Sequence, residues 1–154
     1  MNKRNITIIA LVLAGILATL AAAVPPPSDY RVDRILDAIR QVETGGESDP
    51  ANAVGDGGQA IGPFQIHKAY WQDAVDHDPS IGGVYGDCKN EAYARKIVTA
   101  YLSRYCKVWT DENAARIHNG GCGILKRKHS TKAKDQKAWA NNTKYWSKVK
   151  AHLD

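Results

Sequence analysis

The stretch of residues 42–66, VETGGESDPANAVGDGGQAIGPFQI, decides how the rest of the chain is read. It places one glutamate, Glu43, where a helical pattern runs out. A glycine-rich segment follows and carries Asp56, and the stretch closes on Gly62-Pro63-Phe64-Gln65-Ile66. Two carboxylates thus flank chain that folds back tightly, the raw material of acid-catalysed sugar chemistry.

Upstream, Val32, Ile35, Leu36, Ile39 and Val42 recur at helical spacing from Tyr30. Ser28 or Asp29 offers an N-cap, and Gly45-Gly46 stops the helix. Glu43 therefore falls in the last turn, beside the apolar stripe. That place suits a carboxyl group held against an apolar wall. Residues 47–62 read as turns with a short hairpin, and 60–61 and 64–66 as short strand-like pieces. Residues 67–75 read as a short helix with Tyr70, Trp71 and Val75 on its apolar side, and 78–87 as a loop.

The longest helical pattern starts at Cys88 or Asn90 and carries Tyr93, Ile97, Val98, Tyr101, Leu102 and Tyr105 inward. Thr110 or Asp111 caps a further helix that stops at Gly120-Gly121. Residues 125–137 read as a basic loop. Residues 141–152 form a last helix with Tyr145, Trp146, Val149 and Leu153 on its stripe. The expectation is a mainly α (α+β) domain of about five helices, with minimal strand and a cleft.

The chain has 154 residues, enough for one domain. It opens on a basic segment, an apolar run over 6–24 and Ala21-Ala22-Ala23, the pattern of a secretory signal over residues 1–23. An uncleaved anchor is the alternative, since the run is nearly long enough to span a bilayer. Both place the remainder outside the cytoplasm. A proline-rich spacer, 24–29, leads into the domain at 30–154. Charge is lopsided: 24–106 carries 8 basic and 12 acidic side chains, 107–154 carries 11 basic and 4 acidic. The basic end attracts anionic polymers or is simply a solvated face. Cys88, Cys106 and Cys122 make an odd count; in an exported protein one pair is expected to be bridged. Their spacing fits no four-ligand zinc site, and no phosphate-binding loop or dinucleotide fingerprint is present, so neither metal nor cofactor is expected.

Among candidate site residues, Glu43 is either a proton donor or an ordinary helix-end glutamate. Asp56 is either a second carboxylate or a turn aspartate between glycines. Gln65 offers hydrogen bonds to sugar groups or packs with a polar tip. His118 and Asn119, in Arg116-Ile117-His118-Asn119-Gly120-Gly121, sit at a helix end where glycines allow close approach of a ligand; helix-end placement and a C-cap are the alternatives. Tyr70, Trp71, Tyr145 and Trp146 stack on sugar rings or pack in the core.

The segments VETG, GPFQI, Tyr70-Trp71, ARIHNGG and YWSKV together resemble the invertebrate-type lysozymes of the destabilase family, over most of residues 35–150. The resemblance implies a lysozyme-like fold and hydrolysis of the β-1,4 bond between N-acetylmuramic acid and N-acetylglucosamine. Peptidoglycan would be the partner, and no nucleic acid is expected. Glu43 matches the family's general acid. Asp56 matches its second carboxylate with a one-residue shift in spacing. Gln65, Tyr70, His118 and Asn119 are the expected substrate contacts. The family is usually disulfide-dense, whereas this chain carries three cysteines.

Overall fold

The computed structural model describes residues 29–153. The expected signal and most of the spacer lie outside them; Asp29, the spacer's last residue, is already helical. Five α-helices are formed among the described residues: α1 (Asp29–Thr44), α2 (Lys68–His77), α3 (Glu91–Tyr105), α4 (Asp111–Gly120) and α5 (Ala133–Lys150). Between α1 and α2 lies a small antiparallel sheet in the order β1-β2-β3, with β1 (Val54–Gly55), β2 (Ala60–Ile61) and β3 (Ile66–His67). Short 3-10 turns fill much of the remainder. The result is a mostly helical α+β architecture of the lysozyme-like kind. Among the described residues no helix is long and apolar enough to cross a membrane.

The apolar periodicity becomes the core directly. Ile35, Leu36 and Ile39 of α1 meet Ile97, Val98 and Leu102 of α3 and Ile117 of α4, all at most 1% exposed. Each such side chain contributes roughly 1.5–3 kcal/mol by leaving water. Phe64, the one phenylalanine, is also fully buried and links the hairpin to this core. Caps fall where the polar residues predict: the Asn90 side chain accepts from the Tyr93 N–H at 3.0 Å, and Thr110 Oγ1 accepts from the Asn113 N–H at 3.0 Å.

Two expectations are corrected. First, the last helix begins at Ala133, eight residues before the expected start, so the basic loop is shorter. The first turns of α5, AKDQKAWA, carry no apolar stripe and are helical by composition and packing. Trp139 lies under the buried Arg116 guanidinium, 4.1 Å from ring centroid to Cζ. Second, Cys88, Cys106 and Cys122 are all free thiols, the first two buried and the third exposed. No bridge supports the fold here; the helix core does. Burial, and then the Asp87 charge, push the Cys88 thiol up to about 12.

Candidate active site

Glu43 stands in the last turn of α1, where the helix meets the hairpin. Its neighbour Thr44 is buried and donates its hydroxyl to the Pro63 carbonyl at 2.8 Å, tying the helix end to the GPFQI turn. That turn requires glycine at its start. Gly62 has φ +75°, and a Cβ there would stand 2.2 Å from the Cys88 carbonyl oxygen. The Glu43 side chain is 18% exposed. Its Oε1 accepts a 2.7 Å hydrogen bond from the Tyr145 hydroxyl on α5. His118 Nε2, at the end of α4, lies 3.6 Å from the same oxygen, with its side chain 4% exposed. The other ring nitrogen of His118, Nδ1, is 3.1 Å from the Tyr70 hydroxyl. Tyr70 in turn stacks on Tyr101 at 3.6 Å between centroids.

Asp56 stands on different ground. It opens a 3-10 turn, Asp56–Gly58, at the hairpin tip, with φ +49°. Its side chain is 71% exposed. The sheet register explains its one partner. Gly55 pairs with Ala60, and Ala60 pairs with His67, so Asp56 and His67 emerge on either side of β2. Asp56 Oδ2 lies 2.9 Å from His67 Nε2. Gln65 also has a left-handed backbone, φ +47°, and its side-chain amide donates to the Gly62 carbonyl at 2.9 Å. Left-handed non-glycine residues are uncommon outside Asn and Asp, and gather at functional sites. Here Gln65 is such a residue, and it lines one cleft with Asp56, a type that adopts this backbone more readily.

That cleft, of about 330 Å³, is lined by Glu43, Asp56, Ala60, Gln65, His67, Tyr70, His118 and Asn119. All six sequence-derived site residues therefore meet in one place. A second depression of about 490 Å³ shares Glu43 and Gln65 and extends past Glu47, Asp49 and Asn52. Asn119 is exposed, its Oδ1 accepting from Asn142 Nδ2 at 3.0 Å. Trp71 instead donates Nε1–H to the Tyr93 hydroxyl at 2.9 Å and belongs to the core side of α2.

Two contributors take roles the sequence does not offer: Tyr145, a sugar-stacking or core candidate there, and His67, which has no site role there. Tyr145 reads as one more residue of an apolar stripe; only the packing of α5 against α1 shows that its hydroxyl meets Glu43. Burial, then the Glu43 charge, push its pKa well above the usual tyrosine value, so it remains a donor. His67 follows GPFQI directly, and its partnership with Asp56 depends on hairpin register. Among the described residues no group of three or more His, Cys, Asp or Glu is placed to hold a metal ion.

A family model described as Destabilase matches residues 33–152, which runs from the first turns of α1 to the end of α5 and includes all of the cleft. The chain belongs to the Destabilase family, the invertebrate-type lysozymes. No curated protein sequence matches it. Membership makes this Destabilase-family chain a lysozyme-like hydrolase, in a family associated with glycoside-hydrolase or isopeptidase activity and typically secreted.

Proposed function

We propose that the protein is an exported muramidase that cleaves the β-1,4 bond between N-acetylmuramic acid and N-acetylglucosamine in peptidoglycan. The observation that carries this reading is the sheltered Glu43 carboxyl in a cleft that the Asp56 carboxylate also lines. Glu43 protonates the leaving glycosidic oxygen. Asp56 stabilises the oxocarbenium-like centre or captures it, the two roles a second carboxylate can fill. Gln65, Tyr70, His118 and Asn119 are assigned to the substrate side of the same cleft. Its lining contains no serine, threonine or cysteine beside His118, which favours carboxylate chemistry over an acyl-transfer route to isopeptide cleavage. Exposed Lys126, Lys128, Lys132, Lys137, Lys144 and Lys148 near the C-terminal end would help hold an anionic wall polymer.

A second reading is a lytic transglycosylase working with Glu43 alone. It is favoured by the exposure of Asp56 and its engagement with His67. Mass analysis of sugars released from purified peptidoglycan separates the two. Hydrated reducing ends support the muramidase and anhydro ends the transglycosylase. Firm binding of the polymer with no released ends would overturn both and leave a wall-binding protein.

A further inference from the structure

Glu43 has two oxygens, and the protein treats them unequally. Oε1 receives the Tyr145 hydroxyl at 2.7 Å and has His118 Nε2 at 3.6 Å. Among the described residues, Oε2 receives no hydrogen bond from the protein. Tyr145 reaches Glu43 from 102 positions away in sequence, so the contact is made by the docking of α5 onto α1 and not by local chain geometry. The docking is itself specific. Asn142, one turn before Tyr145, is buried and donates to the Arg116 carbonyl and to Asn119 Oδ1, both at 3.0 Å, while Arg116 Nη1 donates to Asn142 Oδ1 at 3.0 Å. Helix α5 is thereby registered against α4, which carries His118, and the same register delivers Tyr145 to Oε1.

We propose that Tyr145 is a positioning residue for the general acid. Its hydroxyl holds Oε1, so the transferable proton resides on Oε2, the oxygen left for the substrate. Holding one oxygen fixes the rotation of the terminal carboxyl bond. The acid then meets the glycosidic oxygen without first losing that freedom. This proposal rests on Glu43 being the acid.

The test is Tyr145→Phe, which keeps the ring and removes the oxygen. A carbon-13 signal of the Glu43 carboxyl reads the contact directly, whether or not the protein cleaves peptidoglycan, and it should shift when the hydroxyl that donates to Oε1 is removed. In peptidoglycan turnover, kcat should fall about tenfold with KM nearly unchanged. Trp146→Phe, at the next position of α5, should alter thermal stability and leave that signal in place. An unmoved signal in Tyr145→Phe overturns the proposal, even if activity falls through poorer folding. A moved signal in a protein whose Glu43→Gln variant still turns over fully would uphold the contact and remove the muramidase reading instead.

Discussion

Glu43 and Asp56 look at one cleft from unlike supports. Glu43 ends a sixteen-residue helix whose Ile35, Leu36 and Ile39 are fixed in the core, and its side chain is mostly covered. Asp56 begins a three-residue turn followed by Gly57 and Gly58, both in left-handed backbone, and most of its side chain is in solvent. One acid is held in place by packing and by an interhelical hydrogen bond. The other is held by a hairpin tip and an exposed contact with His67, which is worth little in water. The difference matches a division of labour. Proton delivery needs fixed geometry, whereas charge stabilisation of a cationic centre falls off gently with distance.

Substitutions can break this contrast in order of expected size. The widest gap lies between the acids themselves. Glu43→Gln should lower peptidoglycan turnover by roughly 10²–10⁴-fold, the usual contribution of a general acid. Asp56→Asn should lower it far less, because an exposed charge a few ångströms from a cation contributes about 1 kcal/mol, or roughly fivefold in rate. Equal losses would place both acids on the same footing.

Removing the anchor between the two regions comes next. Phe64→Ala should cost about 3–5 kcal/mol of stability in chemical denaturation, since the ring is fully buried and the cavity cannot fill. A cost below about 1 kcal/mol would mean that the hairpin folds independently of the core. His67→Gln removes the exposed partner of Asp56 and should change stability by less than about 1 kcal/mol.

The remaining tests concern the thiols. Cys122 should react with iodoacetamide in the folded protein, while Cys88 reacts only after unfolding. The Cys88 thiol ordinarily ionises near 9 and is raised to about 12 by burial, with Asp87 adding to the shift. Between those values the unfolded chain gives up a proton that the folded chain retains. Stability should therefore fall as pH rises through that window, and the fall should shrink in Cys88→Ala.

The helices were legible because their apolar residues keep a 3.6-residue period. Residues 32–42 and 93–105 announce both a helix and the face it buries. The same logic placed Glu43 next to the stripe. What stayed hidden is what packing alone decides. The start of α5 has no stripe, and its Trp139 is used by Arg116 from another helix. Tyr145 signals core by its spacing, yet its polar end serves Glu43. His67 meets Asp56 only once β1, β2 and β3 take their register. The expectation of export suggested a bridged pair among three cysteines, while the three thiols here stay free.

The most direct measurement is the rate at which reducing ends appear from purified, insoluble peptidoglycan, with wild type and Glu43→Gln matched for folding by circular dichroism. Steady release by the wild type and a loss of at least about 100-fold in the variant are expected of a general acid. Equal release by the two proteins would contradict it.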